Sequence, residues 1–524
     1  MPSILAPCHQ PGLSPVRYRS LFKSSSMQTF YNYRIRPTGA TGYSRMPVGL
    51  FGLLLASVFA FTGCKKLVTI DEPANTITTP EVFSSDQQAY AAIAGMYSVM
   101  INASIYSSFS NGGVTVLAGF SADELNNVSP TYLPFVTNQL LAKTALPDML
   151  WRTAYTTIYN ANAIIEGIAA SKGAMHDSVK TALTGEAKFV RAFSYYYLTG
   201  MYGDVPLALT IDFNQTIKAA KTPQAQVYQQ MIQDLQDAQA TLPADYSAGS
   251  GERIRPNRLA ATALLARVYL CTHDYAAAAT QASTVINNTA LFHLETDLNN
   301  VFLKNSAEAI WQLQQNTAAP AVGSATPEGI TFMPNPLATG VPSLATLTNE
   351  LMAAFETGDQ RRNAWIDSSD NSQSGTPALY YYPYKYKTGK HNTVVGGTAT
   401  EYYMVLRLAE QYLIRAEAAA NGAPGGLPAA ITDLNVIRVR AGLPPLPATL
   451  EHDAVIAAVA HERQIELFAE WGHRWLDLKR TGQAHAVLSQ LPGKQPWTGD
   501  FQLLYPVPAT ELQRDPNLSQ NEGY

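Results

Sequence analysis

Cysteine is almost absent: Cys8, Cys64 and Cys271 are the three in 524 residues. Loss of an N-terminal leader would leave Cys271 as the one internal thiol. That excludes an internal disulfide and a cysteine-rich metal site. Charge is also sparse, at 15% of residues against 46% hydrophobic ones, the balance of a globular chain with few charges. The uncharged run 48–61 has 14 residues, short of the roughly 20 that a transmembrane helix needs. Catalytic signatures are missing too. His461-Glu462 is not a zinc-binding H-E-x-x-H, because Ile465 stands where the second histidine would be. Neither a G-x-S-x-G elbow nor a G-x-x-x-x-G-K-[ST] phosphate loop occurs. No catalytic residue, metal ligand or cofactor site is singled out.

The run 48–61 follows Arg45 and ends in Phe61-Thr62-Gly63-Cys64 before Lys65 and Lys66. It has the length of a signal-peptide apolar segment. Small residues before Cys64 resemble a bacterial lipobox, with Phe61 departing from the usual leucine. In that class of signal the cysteine is diacylated on sulfur and acylated on its new amino terminus, so Cys64 is the expected lipid anchor. Residues 1–63 form the leader and 64–80 a polar tether; Met27 is a possible later start that keeps a basic segment. The leader holds six basic residues and no acidic one, which leaves 30 basic and 40 acidic residues, net −10, in the rest. That balance gives no electrostatic basis for nucleic-acid binding.

Amphipathic segments then recur with steps of three and four. The stripes are Ala89, Ala92, Met96, Val99; Trp151, Ala154, Ile158, Ala161; Val190, Phe193, Tyr197, Gly200; and Tyr228, Met231, Leu235, Ala238. Next come Ala261, Leu264, Val268, Cys271; Tyr275, Ala278, Ala282, Val285; Leu406, Ala409, Leu413, Ala416; and Leu427, Ala430, Leu434, Ile437. Many of these positions are alanine or glycine, which permits close helix approach. Tight pairs joined around residues 272–274 and 421–426 resemble tetratricopeptide hairpins without a strict 34-residue period. The fold class is therefore mainly α: helix pairs as scaffold, long loop-rich insertions at 106–147 and 316–400, and short strands near 309–314 and 380–387. Glu462, Glu466, Glu470, Arg463, Arg474 and Asp477 have the spacing of ion pairs on a solvated helix face.

Several segments together resemble the SusD/RagB family of outer-membrane nutrient-binding lipoproteins. They are Gly63-Cys64-Lys65-Lys66 with Ile70-Asp71, 151–166 (WRTAYTTIYNANAIIE), 185–206 (GEAKFVRAFSYYYLTGMYGDVP) and 258–270 (RLAATALLARVYL). Further on come 405–417 (VLRLAEQYLIRAE), 433–443 (DLNVIRVRAGL), 462–480 (ERQIELFAEWGHRWLDLKR) and the terminal Gln520-Asn521-Glu522-Gly523-Tyr524. The resemblance implies an N-terminal part, 81–250, and a C-terminal part, 251–524, packed as one unit. It also implies a surface-exposed protein on the outer membrane, bound beside a SusC-like TonB-dependent channel, to which it hands oligosaccharides or sometimes peptides. No catalysis is implied. The alternatives are a glycan-degrading enzyme on the same scaffold and a scaffold that binds no nutrient. Family binding loops vary, so no ligand residue transfers by position. Flat aromatics in the insertions can stack on sugar rings, and Tyr132, Trp365 and Tyr381 are the candidate contacts.

Overall fold

The structure is a computed structural model describing residues 82–101, 108–127, 129–334, 344–370 and 379–524. Cys64, the leader and the tether lie outside the described residues.

Among the described residues eleven helices have eight residues or more: α1 (Asp86–Ile101), α2 (Val114–Ser121), α3 (Ala145–Ala170), α4 (Asp177–Tyr202), α5 (Gln224–Thr241) and α6 (Arg258–Cys271), then α7 (Tyr275–Ile286), α8 (Leu408–Ala420), α9 (Gly426–Arg440), α10 (His452–Leu467) and α11 (His473–Arg480). They pack in sequence order from α3 to α9, and α10 closes against α8 and α9. No described helix is long and apolar enough to cross a membrane.

The small-residue stripes do what their size allows. A Cβ on Gly185 of α4 would come 2.1 Å from Thr241 Oγ1 of α5, so these helices approach closer than alanine permits. Leu264, Val268, Ala278 and Ala282 are all fully buried between or beneath the α6–α7 pair. That hairpin turns at His273, and the Asp274 carboxylate accepts from the backbone N–H of Ala277 at 3.1 Å to cap α7. The α8–α9 turn uses Gly425 and Gly426, at φ of 97° and 54°, where a side chain would be strained. At α5, Thr222 ends a short strand and Pro223 stands at the cap. The capping oxygen comes from Asp204, which accepts from the Gln224 N–H at 2.8 Å.

Two stripes are corrected. On α1 the buried residues are Ala89, Ile93, Met96, Met100 and Ile101, whereas Val99 is exposed. An alanine-rich helix offers two similar faces, and burial follows the larger side chains. Leu406 belongs to a strand, and α8 begins at Leu408.

The strands are short and antiparallel: β1 (Leu125–Asn126) pairs with β5 (Thr346–Leu347), and β2 (Val205–Pro206) with β3 (Lys221–Thr222). Likewise β4 (Ala309–Leu313) pairs with β8 (Tyr403–Arg407), and β6 (Ile366–Asp370) with β7 (Leu379–Pro383). The β1–β5 pair ties the two insertions together, and β5 lies against β7.

The largest departure from expectation is electrostatic. Glu462 and Glu466 have no exposed surface, and Glu470 is 5% exposed. Their partners come from distant segments rather than from their own helix. Arg407 binds Glu466 Oε1 at 2.6 Å and Glu470 Oε2 at 2.8 Å. Arg361 binds Asp359 and reaches Glu462 and Glu466 at 2.9 and 3.1 Å. Arg438 binds Glu462, Arg440 binds Glu466 and Glu308, and Lys385 binds Glu470. Arg463 pairs with Asp477 and Arg474 with Asp123. These charges form a buried lattice under the second insertion, not a solvated helix face. Buried pairs also tie the scaffold: Arg191 of α4 links Asn162 of α3 to Asp234 of α5, and Arg267 of α6 binds Glu410 of α8.

Candidate ligand-binding groove

Where α1 runs past the end of β4, a groove of about 450 Å³ remains open. Tyr97, Ser98 and Ile101 of α1 form one wall, Ile254 and Arg255 another, and the run Leu313–Thr317 the third. The groove lies at the root of the second insertion, and α1 ends a few residues before the first. Its base is rigid for local reasons. Trp311 on β4 is fully buried beneath it, with Phe189 and Phe193 edge-on at 4.9 and 5.1 Å. Glu186 of α4, 2% exposed, takes both ends of the Arg255 guanidinium, and the Tyr97 hydroxyl donates to it at 2.8 Å. Burial works against the charge on Arg255, but the Glu186 carboxylate outweighs it and holds the guanidinium above its usual range. Burial, reinforced by the Glu186 charge, keeps the Tyr97 phenol well above its usual range. The charged pair is thus internally neutralised.

The third wall is amide-rich. Gln314 is exposed and donates to the Tyr402 hydroxyl at 3.0 Å. Gln315 is 3% exposed; its amide nitrogen donates to the carbonyls of Ser324 and Glu401 at 2.8 and 3.0 Å. Its Oε1 has no protein donor among the described residues and is itself enclosed, so this amide braces the wall rather than facing the groove. Asn316 and Thr317 continue the wall outward. Amides, hydroxyls and tyrosine edges around a neutralised ion pair suit an uncharged, hydroxyl-rich ligand. The groove's lining holds no free carboxylate pair of the kind glycoside hydrolysis needs.

The three aromatics named from the sequence lie elsewhere. Tyr132 is half-buried at the start of a short helix, with its ring 5.5 Å from Phe120. Tyr381 is half-buried on β7 opposite Ser368, with the Arg362 guanidinium 5.9 Å from its ring. Trp365 is fully enclosed: its indole N–H donates to the Leu298 carbonyl at 2.9 Å, and Lys385 sits 4.8 Å from its ring. An aromatic with no exposed face cannot stack on a ligand, so Trp365 is corrected to a core residue. Tyr97, Arg255 and the Gln314–Gln315 pair drew no attention in the sequence. The signal present was a run of four polar residues directly after an all-buried strand.

Glu356, His461 and Glu462 bring ligand atoms within 4.8 Å of one another. Both carboxylates already bind Arg438, at 2.6 and 2.8 Å. A guanidinium in that position supplies the positive charge a metal would bring, so the cluster reads as an ion-pair node.

Comparison with known proteins agrees with this architecture. A profile for the SusD family matches residues 349–524, and one described as starch-binding, associating with the outer membrane, matches residues 72–270. The chain belongs to the SusD family. The SusD-like protein P2 of Formosa agariphila is 28% identical over 516 residues, covering 89% of this chain and 98% of that protein. A laminarin-binding SusD-like protein of known structure is 26% identical, with a TM-score of 0.68 over 84% of this chain and 100% of its own. Surface glycan-binding protein A from Bacteroides thetaiotaomicron, solved with laminarihexaose, shares the fold at 19% identity and a TM-score of 0.69, covering 83% of this chain and 99% of its own.

Proposed function

We propose that the protein is a surface-exposed outer-membrane lipoprotein that captures oligosaccharides in this groove and passes them to a SusC-like TonB-dependent channel, without catalysing their cleavage. The observation that carries the reading is the amide- and hydroxyl-lined groove, whose one charged side chain, Arg255, is neutralised by Glu186. The glycan-binding relatives support the same ligand class. Tyr132 and Tyr381 keep partly open rings and stand as candidate outer contacts.

The test is calorimetric titration with laminarihexaose and other neutral oligosaccharides, and with peptides, alongside an assay for cleavage products. Gln314→Ala and Asn316→Ala are each expected to weaken binding by roughly 0.5–1.5 kcal/mol, the net worth of a hydrogen bond, at unchanged melting temperature. Tyr132→Ala and Tyr381→Ala report on the outer contacts. Parental affinity in both groove variants would remove the groove from consideration, and product formation would replace binding by catalysis.

The anchor is proposed at Cys64. One acyl chain holds a protein weakly and two or more hold it stably, so Cys64→Ala is expected to release the protein from the membrane or to stall its processing. Mass spectrometry of the exported protein checks this: an unmodified amino terminus upstream of Cys64 would overturn it.

A further inference from the structure

A second, smaller cavity of about 300 Å³ lies among the last turn of α4, the start of α5, the end of α6 and α11. Lys479, Tyr196, Tyr228, Cys271 and Gln224 line it. The Lys479 ammonium donates to the Gly200 carbonyl at 2.5 Å and lies 5.4 Å from the Trp475 ring. Among the described residues it makes no ion pair. The nearby acids are already taken: Glu417 by Arg480, and Asp477 by Arg463 and Arg480. Burial alone pushes the Lys479 amine down to about 7. An ammonium with one carbonyl partner and no carboxylate is therefore held against a cavity whose other cation, Arg480, is already paired with Glu417 and Asp477. Burial raises the Tyr196, Tyr228 and Cys271 groups, so none of them supplies a negative charge near neutral pH.

We propose that this cavity binds a small carboxylate, with Lys479 as its counter-charge and the Tyr196 and Tyr228 hydroxyls as hydrogen-bond partners. With Arg480 neutralised by its carboxylate partners, the one unpaired positive charge matches a monoanion; a phosphate dianion would leave charge uncompensated. The carboxylate can belong to a free organic acid or to a uronic acid sugar. Cys271, the last residue of its helix stripe, is half-buried and lines the cavity. The cavity shares no lining residue with the groove, so the two readings stand or fall separately.

Saturation-transfer NMR on the intact protein with acetate, glucuronate and glucose tests the proposal. At roughly pH 6, with Lys479 charged, acetate or glucuronate is expected to give signals that fall about tenfold in Lys479→Gln, the loss of one charge-assisted contact. In the parent they fall as pH rises to about 8.5, where the amine is neutral. Besides the phenols and the thiol, two ionisable side chains line the cavity with the amine: His273, and Arg480, which is paired with Glu417 and Asp477. His273→Gln, which leaves the Lys479 contacts intact, is expected to keep the pH profile. Acetate without glucuronate indicates free acids, and glucuronate binding indicates acidic sugars. A second measurement does not depend on the variant folding: either carboxylate slows maleimide labelling of Cys271, read by mass spectrometry. Equal signals in parent and Lys479→Gln, or carboxylates that leave both the pH profile and Cys271 labelling unchanged, overturn the proposal.

Discussion

Arg407→Met is expected to destabilise the protein by about 3–5 kcal/mol, the usual effect of removing one partner from a buried ion pair. Arg407 is 2% exposed. Its guanidinium joins Glu466 and Glu470 through side-chain contacts of 2.6 to 2.9 Å and adds a 2.7 Å bond to the Glu466 carbonyl. Removal leaves Glu466 with Arg361 and Arg440 and Glu470 with Lys385, each buried carboxylate short of one cationic partner. Methionine fills much of the space, so packing loss is small and the electrostatic term dominates. Arg407→Lys is expected to recover only part of the loss, because an ammonium cannot make the same forked contact. Equilibrium urea unfolding checks both. The same lattice sets the acid limit of stability. Burial works against the charge on Glu466 and Glu470, but the surrounding cations outweigh it and hold both below the ordinary glutamate range. A depressed carboxylate contributes stability that is present above the unfolded pKa and lost as pH falls through the folded one. Acid unfolding below about pH 4 should therefore move to higher pH in Arg407→Met. If the variant unfolds within about 1 kcal/mol of the parent, the lattice is an energetically neutral arrangement of the kind buried ion networks can be.

What the sequence disclosed divides along a physical line. A helix stripe is a local pattern, so Trp151, Ala154, Ile158 and Ala161 were legible and are buried on α3. The hairpin turns at residues 272–274 and 421–426 were legible because turn chemistry is local as well. The lattice was not. Arg361 and Glu466 lie 105 residues apart, and steps of three and four along α10 carry no information about what rests on it. Trp365 failed for the same reason. A tryptophan inside a loop-rich stretch looks available, but the lattice cations Lys385, Arg407 and Arg440 all lie within 6 Å of its ring. The groove was half legible. The second insertion carries loops and short strands as expected, with Asn316 opening it, whereas the first, read as loop, contains the fully buried helix α2. Yet Gln315 is locked into the wall by the carbonyls of Ser324 and Glu401, and Arg255 is neutralised by Glu186, 69 residues away in the chain.

Glu328→Gln is expected to change how stability depends on pH. Glu328 sits on a short helix, Pro327–Phe332, inside the second insertion, and is 2% exposed. The Tyr403 hydroxyl bonds to it at 3.0 Å, and Tyr403 stacks on Trp471 at 4.8 Å. Burial first, with the Glu470 charge adding to it, pushes the Glu328 carboxyl up to about 8. The folded protein therefore holds this proton where the unfolded chain, near 4.5, has released it. Stability must fall as pH rises between those values and level off above the folded pKa. A gap of this size corresponds to something on the order of 3–5 kcal/mol across the window. Glu124 adds to the same slope: burial first, then the Asp123 charge, raises it to about 8 as well. Glutamine is neutral at every pH and keeps an oxygen for Tyr403, so Glu328→Gln is expected to match the parent near pH 5 and to exceed it near pH 8. Melting temperatures measured across that range decide the matter. A variant whose slope equals the parent's would mean that Glu328 ionises freely in the fold. The gain should be accompanied by slower proteolysis of residues 316–334 at pH 8, because the ionised carboxylate loosens the contact through which this insertion holds the scaffold at Tyr403.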